Sequence, residues 1–375
     1  MPGLFIQRQA EALTTWCDVA VIYVHPDPHC PNQVEVDFSE EHEVRVIRVY
    51  YRVNAGSRSF INQVRNFYQF YQAYMKAFKS IRGFNPDLVH SHVLTRMGWI
   101  GLKISRQLKV PLVISEHWSR YFPQNGTYQG WLRKKTTARI IKNAAAVIAV
   151  SEPLKNAMIT CGLYHHNYRI IPNIAGFPAI QPVARERGAD IKTMVHISCF
   201  EDKSKNISGF LRSLQALTVI RKDFRCLMVG DGPDWLDMKE YAGFLRIPDA
   251  LIQFVGVKTG AAFDEILTGA DFTVMSSNYE TFGTVVIESL AAGVPVVATT
   301  TGIAKTKIND TNGILVPVAD EKALTDALFQ MLNLCREYDR ETIRKSIGNE
   351  FSPEKVGEML AGLYKEVINN QGYSG

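Results

Sequence analysis

The chain has little that would tie it to a membrane interior, an oxidising compartment or a dinucleotide. No run of 18 apolar residues escapes a charged or polar break, so the length a membrane-crossing helix needs is missing. No signal peptide opens the chain, and a cytoplasmic location is expected. The six cysteines show no paired spacing; Cys17, Cys199 and Cys226 fall in expected strands, where small buried thiols are ordinary, and a disulfide framework is not expected. Neither half carries a Gly-x-Gly-x-x-Gly turn between a strand and a helix, which argues against a dinucleotide-dependent dehydrogenase. A first strand is lacking as well. A doubly wound domain should begin strand, glycine loop, helix, whereas this chain begins Met1-Pro2-Gly3 and enters a helix by about Ile6.

What is present is the alternation of an α/β protein. With 375 residues the chain can bury two sizeable cores. Short apolar runs at 17–24, 44–51, 87–91, 111–115, 146–150 and 168–171 alternate with helical stretches, and a second series at 193–199, 224–230, 251–256, 271–276 and 294–299 does the same. Such alternation implies two parallel sheets, hence two Rossmann-like doubly wound domains facing across a cleft. Pro172, Pro178 and Pro182, with little apolar periodicity around them, mark a linker near 173–192. The expected domains are therefore 1–172 and 173–352, and Ser352-Pro353 opens a last helix, to about 370, that returns across the cleft to pack on the first domain.

Charge divides the chain unevenly. Residues 1–180 carry 21 Lys and Arg against 11 Asp and Glu, and residues 181–375 carry 21 against 26. A basic first half suits anionic lipid. Its candidate surfaces are WLRKKTTARIIK at 131–142 and the helix from Asn62 to Ser80, where Phe67, Phe70, Tyr71, Tyr74 and Phe78 recur at helical spacing. The alternative for both is an aromatic core and a solvated basic face. No nucleic-acid partner is expected.

The stretch YETFGTVVIESLAAGVPVVAT at 279–299 places Glu280 and Glu288 eight positions apart around a glycine turn. The preceding ADFTVMSS reads as a buried strand, Phe282-Gly283 as a turn, and Thr284 to Ala292 as a helix whose free N–H groups attract phosphate. Glu280 then lies at the carboxyl end of a parallel strand, where ligands of open α/β sheets bind. Glu288 is set among Val285, Val286, Ile287, Leu290 and Ala291, and a carboxylate in such surroundings needs a hydrogen-bonding partner.

That Glu-x7-Glu segment resembles the signature of the retaining glycosyltransferases of family 4, of the bacterial polysaccharide or glycolipid type, which have the GT-B fold. The resemblance extends along the chain through PDLVHSHV (86–93), VISEHWS (113–119), AAVIAVSEPLK (145–155), RIIPN (169–173), LMVGDGP (227–233) and IQFVGV (252–257). It implies transfer of a sugar from a nucleoside-diphosphate sugar to a glycan or lipid-linked acceptor, at the inner membrane face, with no further cofactor and no metal. It implies His117, Lys205 and Glu280 as catalytic residues. Gly3, Gly230, Gly232, Val257, Phe282, Gly283, Thr284, Val285 and Glu288, with Lys205 and Glu280, would bind the donor. Lys205 matches a phosphate-binding lysine at a helix start, but the arginine a few residues before it is replaced by Cys199 or Phe200, and Lys203 is the substitute cation. His90 and His92, two apart on one strand face, have no third metal ligand at suitable spacing and read as structural or acceptor-lining. In the family the missing first strand is central to the acceptor sheet and Gly3 ends its glycine loop. Its loss is expected to cost several kcal/mol, out of a usual stability of about 5–15 kcal/mol. Two rivals share the architecture: a nucleotide-sugar epimerase, whose catalytic acids and histidines find no place here, and a non-catalytic donor-binding partner protein.

Overall fold

A computed structural model describes residues 3–30, 32–53, 60–81, 83–176 and 191–371. The second half is one six-stranded sheet, parallel throughout: β8 (Lys192–Cys199), β9 (Phe224–Asp231), β10 (Ile252–Gly256), β11 (Phe272–Met275), β12 (Val296–Thr299) and β13 (Gly313–Val316), in spatial order β10-β9-β8-β11-β12-β13. Helices cover both faces, so central strands such as FTVM and VVAT are buried along their whole length and read as unbroken apolar runs. The strand order reverses between β8 and β11. In a doubly wound sheet that reversal opens a crevice at the carboxyl ends of the two strands, because the loops leaving them diverge to opposite faces.

The first half holds its strands in two sheets among the described residues. One contains β1 (Ala20–Pro26), β2 (Val34–Glu41) and β3 (Val44–Tyr51) in the order β1-β3-β2; the other contains β4 (Val89–His92), β5 (Leu112–Glu116), β6 (Ala146–Ala149) and β7 (Tyr168–Ile170) in sequence order. The second is parallel throughout, whereas β2 runs antiparallel to β3. β1 and β4 are each the end strand of a separate sheet. The structure opens on the helix Leu4–Leu13, with Gly3 at its N-cap in a left-handed conformation (φ 101°). β2, and β13 in the other half, have no counterpart among the expected strands. Two thiols also depart from expectation: Cys17 lies in a turn before β1 and is exposed, and Cys199 is exposed at the end of β8, while Cys226 is buried in β9.

The last helix, Pro353–Gln371, crosses back to the first half. Val356, Leu360, Leu363 and Val367 are buried there among Leu13, Val113, Ile148 and Ile171. The expected linker lies largely within 177–190, outside the described residues. A further apolar cluster joins the halves, running from Ile114, Tyr121 and Val147 to Phe282, Val286 and Leu290.

Candidate active site at the strand-order reversal

Two loops leave the reversal point. The one after β8 passes through Phe200 into a one-turn helix, Asp202–Lys205; the one after β11 runs through Ser276 to Glu280. They are tied together by the Asn278 N–H to the Ser204 carbonyl (2.8 Å) and by Ser276 Oγ to the Lys205 carbonyl (2.9 Å). This stitching brings the Lys205 ammonium to 2.5 Å from Glu280 Oε1, which also accepts from Ser277 Oγ at 2.8 Å. The side chains are 16% and 11% exposed, so the pair is shielded yet reachable. Burial opposes the Lys205 charge, but attraction to Glu280 outweighs it and raises the lysine above its ordinary value. A fixed cation therefore stands at the crevice at neutral pH. Lys205 ends its short helix and stands immediately before Asn206, the left-handed N-cap of the next helix, which begins at Ile207, so it lies at a helix start as expected.

Beyond Glu280 the chain turns through Phe282, which is buried, into the helix Thr284–Ala291 with Gly283 (φ 93°) at its N-cap. Gly302 braces the turn. Its φ is 52°, and a methyl group there would stand 2.4 Å from the Phe282 carbonyl oxygen and 2.8 Å from Glu280 Cβ. Ile303 N–H bonds that same carbonyl at 2.7 Å. Nothing in the sequence flagged Gly302. Gly230 and Gly232 meet backbone, because a Cβ at Gly230 would lie 1.9 Å from the Ser198 carbonyl oxygen and one at Gly232 2.5 Å from Phe200 N. They let the β9 exit press against the β8 exit, just before the segment that carries Lys205. Val257 follows β10 and is 57% exposed.

Glu288 is buried and faces the first half of the chain. Arg8, on the opening helix, donates to its Oε1 at 3.0 Å, and the Gly176 N–H donates to the same oxygen at 3.2 Å. Burial raises the Glu288 carboxyl above its ordinary value, and Arg8 only partly offsets this. Arg8 also reaches the Ile174 carbonyl (3.4 Å). Sequence reasoning missed Arg8, whose partner lies 280 residues away. Lys203, the expected second cation, donates to the Asn125 carbonyl at 2.8 Å and so links the halves. Next to Glu280, Ser151 Oγ donates to the Thr281 carbonyl, another bond between the halves.

His117 follows β5. Glu116 fixes the strand end by accepting from Leu94 N, His117 N, Trp118 N and the Tyr121 hydroxyl at 2.8–3.0 Å. The His117 ring packs 4.5 Å from Phe5 of the opening helix and lies beside Asn173, the neighbour of Ile174. Burial, then the nearby His92, holds it well below the ordinary histidine value, so it is a neutral imidazole. His90 bonds the Tyr364 hydroxyl (2.6 Å) and Ser115 Oγ (2.8 Å). Among the described residues no cluster of three or more His, Cys, Asp or Glu side chains is arranged to hold a metal.

The arrangement offers a buried cation paired with an acid, a helix N-terminus beside it, a second acid at the boundary of the two halves and a neutral histidine near that boundary. Comparison with known proteins agrees with the fold. Residues 4–174 match the family model described as Glycosyltransferase Family 4, and residues 191–334 match the model described as Glycosyl transferases group 1. The chain is 24% identical over 80% of its length to the alpha-monoglucosyldiacylglycerol synthase of Streptococcus pneumoniae, covering 70% of that protein. It is 23% identical over 98% of its length to the putative teichuronic acid biosynthesis glycosyltransferase TuaC of Bacillus subtilis, covering 93% of it. Sucrose-phosphate synthase from Thermosynechococcus elongatus superposes with a TM-score of 0.78 at 22% identity, over 99% of this chain and 94% of that one. None of these matches supports an epimerase. The chain belongs to the family 4 glycosyltransferases and has their two-domain GT-B fold.

Proposed function

We propose that this glycosyltransferase moves a sugar from a nucleoside-diphosphate sugar to a glycan or lipid-linked acceptor with retention of anomeric configuration, using no cofactor beyond the donor. The observation that carries this reading is the Lys205–Glu280 pair at the strand-order reversal, beside the N-terminus of the helix Thr284–Ala291. As the bond from the anomeric carbon to the phosphate oxygen breaks, charge grows on that oxygen and the sugar becomes oxocarbenium-like. Lys205 and the N–H groups of Gly283, Thr284 and Val285 meet that charge. The leaving phosphate takes the acceptor hydroxyl proton, and the acceptor oxygen bonds the anomeric carbon on the same face, so no enzymic nucleophile is needed. Glu280 holds sugar hydroxyls, Glu288 holds ribose hydroxyls, and His117 contacts the donor sugar and its phosphate.

The test is nucleoside-diphosphate release from a donor panel, with and without acceptor, and NMR of the product's anomeric centre. Acceptor-dependent release with retention is expected. Glu280→Gln should lose most turnover without trapping a covalent sugar, and a sugar adduct on native Glu280 would overturn the positioning role. Binding without turnover would identify a donor-binding partner protein instead.

We further propose peripheral contact with anionic lipid from the cytoplasm through the helix Trp131–Asn143. It carries five Lys or Arg and no acid, and Trp131 and Leu132 at its start are 73% and 64% exposed. Each cation near an anionic surface contributes about 1 kcal/mol. In the helix Phe60–Ser80, Phe70 and Tyr74 are buried, while Val64 and Tyr68 are exposed. Among the described residues no helix is long and apolar enough to cross a membrane. Sedimentation with phosphatidylglycerol vesicles, lost in high salt and in Trp131→Ser/Leu132→Ser, is expected; equal binding to phosphatidylcholine vesicles would refute the electrostatic reading.

A further inference from the structure

His92 and His117 end neighbouring parallel strands, with His92 in register with Ser115, and their side chains meet: His92 Nδ1 lies 3.1 Å from His117 Nε2. Burial keeps both rings neutral, with His92 lowered to about 4 and His117 held well below the ordinary value. Two neutral imidazoles in contact share one proton at the contact, so the tautomer of one ring dictates that of the other. Either His92 Nδ1–H donates and His117 carries its own proton on Nδ1, or His117 Nε2–H donates and its Nδ1 is a bare acceptor.

The surroundings of His117 Nδ1 choose between these. That atom is buried with no hydrogen bond from any other group, as is Oδ1 of the adjacent Asn173, and hydrogen bonding to Asn173 favours a proton on the His117 ring. An Nδ1–H faces an amide oxygen favourably, whereas a lone pair there would repel it. The backbone keeps His92 from turning away. Val93, immediately after it, has φ 74°, an unfavourable conformation for a β-branched residue, and is held there by its N–H to the Ser115 carbonyl (2.7 Å) and by the Gly98 N–H to its own carbonyl (3.1 Å). On the other side the His92 ring packs at a tilt against His90, ring centroids 4.3 Å apart, and His90 is itself fixed by Tyr364 and Ser115.

We propose that His92 is a positioning residue for sugar transfer: by donating from Nδ1 to His117 Nε2 it fixes His117 as the Nδ1–H tautomer, so that the buried nitrogen beside Asn173 is a neutral hydrogen-bond donor that the oxygens of the sugar donor can share. This rests on the glycosyltransferase reading, in which His117 contacts the donor. A lone pair at that position would repel a phosphate oxygen. A neutral N–H bonds it without adding a second fixed cation to the site.

The proton's position can be read without any substrate. In native protein carrying 15N-labelled histidine, two-bond 1H–15N correlations should show His117, identified by the signals lost in His117→Gln, with pyrrole-type Nδ1 and pyridine-type Nε2. The reverse pattern would overturn the proposal. In turnover, His92→Phe should lower kcat by about 10-fold, roughly the effect of losing one neutral hydrogen bond, with KM for the donor little changed. His92→Asn, which keeps an N–H near the Nδ1 position, should recover most of that loss. Native kcat in His92→Phe, or equal damage in both variants, would refute the role. Failure of the glycosyltransferase reading would show differently, as native protein that transfers no sugar.

Discussion

Replacing Arg8 with methionine keeps the aliphatic stem and strands Glu288. That carboxylate is 8% exposed, and its remaining partner is the Gly176 N–H. Removing one member of a fully buried ion pair costs about 3–5 kcal/mol, but the Arg8 side chain is 27% exposed and water reaches it, so about 2 kcal/mol is the expected loss. For a domain of this size that corresponds to a fall in Tm of about 4–8 °C. The sign with pH follows from Glu288 itself. Its carboxyl is raised by burial, and losing Arg8 raises it further. A carboxyl raised in the folded state favours folding fully below its unfolded value, and that advantage is lost as pH rises through the folded value. The Arg8→Met deficit should therefore be larger at about pH 8 than at about pH 5, because protonation of Glu288 as the pH falls removes the stranded charge. Thermal unfolding of Arg8→Met, Glu288→Gln and the double variant at both pH values tests this, with the double variant losing little beyond Glu288→Gln. A deficit equal at the two pH values, or absent at the higher one, would show that the Arg8–Glu288 contact does not carry the proposed coupling.

Lys205→Met should lower kcat by about 100- to 1,000-fold, the usual loss when one group stabilising a transition-state charge is removed, measured by nucleoside-diphosphate release. Retention of more than a tenth of native turnover would remove Lys205 from the role. Gly302→Ala should cost about 1–3 kcal/mol in urea unfolding, from the forced φ and the contact with the Phe282 carbonyl. An unchanged midpoint with unchanged activity would show that the turn before the helix Thr284–Ala291 does not need its brace.

The central strands of the second half were legible because both faces of each are covered, which leaves an unbroken apolar run in the sequence. β2 was not, since VEVDFSEE is mostly polar and its hairpin turns through His42 and Glu43, both with positive φ (48° and 65°), where glycine or asparagine normally gives the signal. β13 is four residues long and opens directly after a turn. Within the site, Glu280 and Glu288 could be found because they flank one turn. Arg8 could not, because the contact that reveals it exists only once the two halves of the chain meet. Lys205 does stand at a helix start, before the N-cap of the helix from Ile207, whereas the four-residue helix that it ends leaves no periodicity to read. The glycines at 230 and 232 were read as openings toward a ligand, and the structure accounts for them by backbone meeting backbone.

The helix Pro353–Gln371 is made after both sheets and packs on strands of the first half, filling a core with Leu13, Val113 and Ile148. The amino-terminal half therefore leaves the ribosome with an apolar face uncovered and must wait for the whole of the second sheet to be synthesised before that face is sealed. Order of synthesis and order of completion are inverted: the donor-side sheet can mature while its elder partner is still open, and any stall or cleavage late in translation harms the half that was made first.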